Sequence, residues 1–350
     1  MIHISEPYIV GNEATYVAQA IAKKEIATGD FVERFESAFA TYTGKKYAVS
    51  CSSGTAALHL ALLAADVGPK DSVSMPVLTY VATANAVRYC RASIEFRDVE
   101  EDTWNMPPTH SPMSCVVLPV ALYGYRPVGQ QRSNWANVEQ QFVIEDASEA
   151  LGAKGPWNAD LTTFSFYGNK LITTGEGGMV VTDSPWLDRQ LRMFRGQGTL
   201  PGLSKYDHQV VGYNYRMSNL AAAFGLAQLE TIEEHLAKRW KVIDYYRDKL
   251  EHLIEKRPRP AAPWMFAFCL DPKRTLPREK IMSWMKGHEI ETRPTFTPMH
   301  RLPMYRSTSC YPVAERIGDH GLCLPTHANL SDFDVEEVAK TVRYAYEYLR

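Results

Sequence analysis

The 350-residue sequence has no run of about 18 apolar residues of the kind that crosses a bilayer. Its most apolar stretch, Ala56 to Val67, is too short and carries His59. The first residues, Met1-Ile2-His3-Ile4-Ser5-Glu6-Pro7, lack the basic region and apolar run of a secretory leader. The six cysteines, Cys51, Cys90, Cys115, Cys269, Cys310 and Cys323, form no CxxC pair. Scattered in this way they read as reduced thiols packed as small hydrophobes, with no clustered ligands for zinc. Charge of one sign is also lacking: 38 Lys+Arg stand against 40 Asp+Glu, a net charge of −2. That balance leaves no electrostatic footprint for nucleic acid or an anionic membrane, but it leaves room for a local pocket that takes a phosphorylated small molecule. Internal repeats and low-complexity segments are absent as well. These absences together lead us to expect a soluble, cytoplasmic protein whose partners are small molecules.

What is present is ordinary globular composition, 45% hydrophobic and 22% charged, which argues against disorder. At roughly 100–200 residues per domain, the length favours two domains. Short strand-like runs at 47–51, 72–75, 94–98, 115–122, 142–145, 161–167 and 179–182 alternate with segments of helical spacing, notably from Thr55 and over Tyr80–Tyr89. That alternation predicts an α/β domain with a mostly parallel sheet. Ser218 reads as the N-cap of one long helix, with Leu229, Ile232, Leu236, Trp240, Ile243, Leu250 and Leu253 near spacings of three, four or seven. Such a helix can bridge two domains. The Pro-rich stretch Arg257 to Pro263 ends it. A smaller C-terminal α/β unit then follows: a strand over Trp264–Leu270, a helix over Arg278–Lys286, and a final helix from Ser331 with Asp334 as capping-box partner.

Three places carry chemistry. Ser52-Ser53-Gly54-Thr55 lies between a strand and a helix, where unpaired N–H groups and the helix dipole favour an anion; it also fits an ordinary capped turn. Ile144-Glu145-Asp146 ends an apolar strand, where open α/β sheets bind ligands, although an Asp there can simply cap the next helix. Lys170 follows the strand LTTFSFYGN and precedes glycines 175, 177 and 178. A lysine so placed is a candidate Schiff-base amine if burial lowers its pKa, whereas most lysines are solvated surface residues. In combination, a phosphate cradle, a strand-end carboxylate and an amine meet the needs of pyridoxal 5′-phosphate (PLP): donors for the phosphate, an anion for the pyridine nitrogen and an amine for the aldehyde. Tyr80 opens a helix between the first two places, and its ring can stack on the cofactor or pack in the core.

The blocks SSGTAALHLAL (52–62), VLTYVATANAVRY (77–89), VIEDASEALGA (143–153), TTFSFYGNKLITTGEGGMVVTD (162–183) and GYNYRMSNLAAAFGLAQLE (212–230) resemble the DegT/StrS family of PLP-dependent nucleotide-sugar aminotransferases. The likeness runs from about residue 5 to the C-terminus, and within the family it is to the perosamine-type sugar 4-aminotransferases. It implies the aspartate-aminotransferase fold (PLP fold type I), with a large, mostly parallel sheet domain over 1–235 and a smaller C-terminal α/β domain over 236–350. It implies that Lys170 forms the Schiff base and shuttles protons, and that Asp146 pairs with the pyridinium nitrogen. Glu149 would lie near the phenolic oxygen, where many relatives have Gln. Ser53, Gly54, Thr55 and Ser165 would bind the phosphate, Tyr80 would cover the ring, and Asn214 would reach the phosphate from the partner subunit of a homodimer. Thr28, Arg216, Arg293, His300 and Tyr305 stand where relatives approach the nucleotide sugar or the partner.

The implied reaction moves an amino group from L-glutamate to a nucleotide-linked 4-keto-6-deoxy sugar, with pyridoxamine 5′-phosphate formed between the two halves. A 3-keto sugar or an eight-carbon keto-acid sugar is an alternative substrate. A PLP-dependent sugar dehydratase would have His in place of Lys170, and an idle sensor would be expected to lose Lys170 or Asp146. The chain departs from the family pattern in having Ala121 where His is usual, and in a shortened stretch from Trp104 to Asp160.

Overall fold

The computed structural model describes residues 1–108, 114–127, 141–200, 202, 204, 206–269 and 277–349. Leu270 and part of the 104–160 stretch lie outside these. Two helices that the sequence reading did not identify open the chain, α1 (Glu13–Ala22) and α2 (Asp30–Thr43). Phe31, Phe35 and Phe39 recur every four residues along α2, so all three face inward and are fully buried. Gly44, at φ 69°, ends the helix in the left-handed conformation that glycine adopts without steric cost.

The main sheet takes strands β1 (Tyr47–Cys51), β2 (Ser72–Pro76), β3 (Ser93–Arg97), β4 (Val116–Val117), β5 (Phe142–Asp146), β6 (Leu161–Ser165) and β7 (Gly178–Thr182). Their spatial order is β1-β7-β6-β5-β4-β2-β3. Pairings from β6 through β3 are parallel, and β7 runs antiparallel to both its neighbours. Parallel strands need crossovers, which α3 (Gly54–Ala64) and α4 (Val81–Tyr89) supply between β1, β2 and β3. Helix α3 is apolar nearly all round and almost wholly buried, as befits a helix covered on both sides. After β7 comes α5 (Pro185–Arg195).

Two expectations are corrected. The 115–122 run forms a ladder only at Val116–Val117, because Pro119 has no N–H to donate; it regains one bridge, Val120 to Asp146. The single helix from Ser218 is two helices, α6 (Asn219–Glu230) and α7 (Ile232–Leu250). At Thr231 the backbone leaves helical geometry (φ −107°, ψ 12°), and its hydroxyl bonds back to the Gln228 carbonyl at 3.3 Å, a contact that bends helices.

The C-terminal part holds β8 (Phe266–Cys269), α8 (Arg278–Gly287), β9 (Arg293–Pro294), α9 (Pro312–His320), β10 (Gly321–Leu324) and α10 (Asp332–Tyr348). Its antiparallel sheet runs β8-β10-β9. The Ser331–Asp334 capping box opens α10, as the sequence predicts. Helix α7 serves two cores. Ile232 and Leu236 pack beneath the main sheet, and Val242, Ile243, Tyr246 and Leu250 join a separate apolar cluster with α8, α10 and the small sheet.

Candidate active site

Strand register builds the site. Cys51 and Ser165 both pair with Gly178, so β1 and β6 end level with each other on either side of β7. The turn after β1 therefore lands against Ser165. An added Cβ on Gly54 would sit 2.7 Å from the Ser165 Cβ, and one on Gly178 would sit 2.4 Å from the Ser53 carbonyl oxygen. Only bare backbone fits at this meeting of strand, turn and helix. Ser53 caps α3, its Oγ accepting from the Ala56 N–H at 3.1 Å. The N–H groups of Gly54 and Thr55 in the first helical turn have no acceptor within the helix.

The next parallel strand, β5, ends in Asp146, which is 4% exposed. Thr83 Oγ1 donates to its Oδ2 at 2.8 Å, and the Ser148 N–H donates to its Oδ1 at 3.1 Å. Glu149, equally buried, accepts the Tyr123 N–H at 2.7 Å on one oxygen and faces Lys170 Nζ at 3.7 Å with the other. Lys170 Nζ also lies 4.3 Å from the centre of the Trp264 ring. Burial pushes Glu149 up from 4.5 to about 7, with Lys170 opposing it, and burial pulls the Lys170 amine below its ordinary value, with Glu149 opposing in turn. Burial thus draws the proton affinities of the two groups toward each other.

Asp146, Glu149, Lys170 and Trp264 line one cavity of about 530 Å³ together with the turn after β1. Ser53, Gly54, Thr55, Tyr80, Asp146, Glu149, Ser165, Lys170 and Arg293, each singled out from the sequence, are among its walls. Thr28, Asn214, Arg216, His300 and Tyr305 are not. Thr28, Asn214 and Arg216 are exposed elsewhere on the chain. His300 is buried with its Nε2 3.0 Å from Glu315, and the Tyr305 hydroxyl donates to Asn85 at 2.6 Å. The sequence reading missed Thr83, Tyr123, Trp264, Phe296 and Cys323, which also line the walls. Thr83 had a signal, since it lies one helical turn beyond Thr79, beside Tyr80. Trp264 and Cys323 had none, because they arrive from the distant C-terminal part.

These residues fit PLP. A buried carboxylate with its own donors awaits a cationic ring nitrogen. Bare backbone at Gly54 opens the helix start to an anion. Asn169 Oδ1 is buried without a partner among the described residues. Taken with the fold, the site defines a PLP-dependent aminotransferase. Comparison with known proteins agrees. The model of the DegT/DnrJ/EryC1/StrS aminotransferase family matches residues 7–343, and the chain belongs to that family. It is 40% identical to the GDP-perosamine synthase of Caulobacter vibrioides, over 96% of each chain. It is 35% identical to the GDP-perosamine synthase of Escherichia coli O157:H7, over 99% of this chain and 98% of the other. The fold matches that of an aminotransferase from Psychrobacter cryohalolentis at a TM-score of 0.90 and 22% identity, covering 98% of both chains.

Proposed function

We propose that the chain transfers the amino group of L-glutamate to C4 of a nucleotide-linked 4-keto-6-deoxy sugar, the perosamine-type reaction. The observation that supports it is the meeting, in one cavity, of the α3 N-terminus, Asp146 and the Lys170–Glu149 pair, in a chain whose relatives include GDP-perosamine synthases. When bound, PLP supplies an electron sink and the carbon that carries the amino group from one substrate to the other. Asp146 holds the proton on the ring nitrogen. Lys170 Nζ removes a proton from the substrate carbon and returns one, and the Glu149 carboxyl beside it stabilises the ammonium or takes up the proton. Gly54, Thr55, Ser53 and Ser165 hold the phosphate, and Tyr80 covers the ring.

Arg293, exposed at the mouth beside Glu291 at 3.3 Å, offers a guanidinium to a substrate carboxylate or nucleotide phosphate. In this reading, Asn214 completes the phosphate site from the partner subunit of a homodimer, and Thr28, Arg216, His300 and Tyr305 bear on the sugar nucleotide or on the subunit contact. The reading divides the chain into a PLP-binding domain, 1–235, and a small domain, 236–350, and places the reaction in the cytoplasm. Among the described residues no helix is long and apolar enough to cross a membrane.

The test is optical and chemical. The purified protein should show the visible band of bound PLP, L-glutamate should bleach it, and a nucleotide-linked 4-keto sugar should restore it. NMR should then find the new amine at C4. Lys170→Ala should fold and lose turnover. A visible band that no amino acid alters would overturn the reading, and an amine at C3 would transfer it to the 3-keto substrate.

A further inference from the structure

Helix α7 grips the backbone at Lys170. His235 and Arg239, one turn apart, face the same way. His235 Nδ1 lies 3.1 Å from the Leu171 carbonyl oxygen, and Arg239 Nη2 donates to the Lys170 carbonyl at 3.0 Å. The same guanidinium donates through Nη1 to the Trp264 carbonyl at 2.9 Å. Trp264 closes the loop, its Nε1–H donating to the Asn169 carbonyl at 2.9 Å. One buried side chain therefore ties the lysine's own backbone to that of the tryptophan whose ring lies 4.3 Å from the lysine amine.

Arg239 is 2% exposed, and its charge is met in these two contacts by carbonyl oxygens. Burial pulls its pKa down to about 10. A guanidinium in such a place carries a desolvation cost that a methionine would not. Its two bonds show what it does there. They fix the indole relative to Lys170, and the indole belongs to a stack. Tyr123 lies parallel to Trp264 with ring centres 5.8 Å apart, and Phe296 lies on Tyr123 at 5.2 Å. Tyr123 in turn donates its N–H to Glu149. The aromatic face and the carboxylate beside the amine are thus parts of one connected unit.

We propose that Arg239 is a positioning residue for transamination, acting through Trp264: it fixes the indole face against the Lys170 amine so that the freed amine stays aimed into the cavity beside Glu149. The inference rests on the proposed reaction. The first half-reaction must release Lys170 from the cofactor and the second must recapture it, and a loose amine would do both slowly. Glu149 and Asp146 are the charged groups that bear on the amine, and both favour its ammonium form. The indole face adds to them, since a desolvated cation is attracted to the ring.

Three variants test the proposal: Trp264→Leu, Trp264→Phe and Arg239→Lys. Trp264→Leu leaves the backbone carbonyl bonded to Arg239, so it probes the ring even if Arg239→Lys fails to fold. In cofactor-saturated enzyme without substrate, the pH at which the visible band changes should fall by about half a unit or more in Trp264→Leu and Arg239→Lys. Trp264→Phe, which keeps a π face, should lie between these and wild type. Turnover should fall about tenfold in Trp264→Leu and Arg239→Lys, with KM for L-glutamate within about twofold. Lower melting temperatures with an unmoved band and unchanged kcat would make Arg239 purely structural and overturn the inference. Borohydride reduction separates the two levels. If wild type fixes cofactor on Lys170 and the variants do not shift, only the inference fails; if wild type fixes none, the proposed function fails with it.

Discussion

The charge of Glu149 depends on its surroundings. Burial holds its proton to about pH 7, against 4.5 for the ordinary side chain. Between those values the folded protein keeps a proton that the unfolded chain has lost, so this carboxyl removes stability as pH rises and removes no more above about 7. Glu149→Gln cannot titrate, yet it keeps an oxygen for the Tyr123 N–H. The cofactor-free variant should therefore gain on wild type as pH rises from about 4.5 to about 7, by up to roughly 3 kcal/mol. Melting curves at the two ends of that window would show it, and a Tm difference that does not change with pH would contradict it. Lys170 and Asp146 were legible in the sequence because a strand end and a glycine-rich turn mark them. The groups that tune them were less so. Thr83 bonds Asp146 across 63 residues, and Trp264 meets Lys170 across 94; no local spacing encodes such pairs.

At the level of elements, helices α1 and α2 went unread, and the two corrected elements are those where a side chain competes with the backbone. Thr231 splits the helix after Ser218 through its own hydroxyl, and Pro119 cuts short a strand whose apolar pattern continues. The three-residue partnership of Cys51, Gly178 and Ser165 lay beyond the sequence as well, because register joins strands that are remote in the chain. That register makes a prediction about α3. Gly54→Ala would push a Cβ to 2.7 Å from the Ser165 Cβ, and a strand cannot yield as a flexible side chain would. Either α3 withdraws from β6 or the turn rotates, and in both cases the N–H groups of the first turn lose their aim. PLP should bind on the order of 10–100-fold more weakly, the effect of losing one hydrogen bond to a charged group, while far-ultraviolet circular dichroism stays unchanged. Titration of cofactor into stripped protein measures this, and wild-type affinity would show that the helix start does not hold the phosphate.

For the whole molecule, the open question is whether one chain suffices. Asn214 is exposed and lies outside its own chain's cavity. Its segment is nonetheless well anchored: Asn214 bridges Gly196, and the Ser52 N–H donates to the Tyr215 carbonyl at 2.8 Å. An exposed, well-anchored amide outside its own chain's cavity is suited to serve a site on a second copy. If it does, Asn214→Ala should weaken PLP binding about 10–100-fold, and Lys170→Ala should be inactive. The two variants can then repair each other. In a mixed dimer, the Asn214→Ala chain contributes an intact Lys170, and the Lys170→Ala chain lends it Asn214. Random pairing makes half of the dimers mixed, each with one complete site, so co-refolded variants at limiting PLP should recover about a quarter of wild-type activity per chain. If Asn214 instead acted within its own subunit, no mixed site would hold both residues, and the mixture would remain as inactive as its parts.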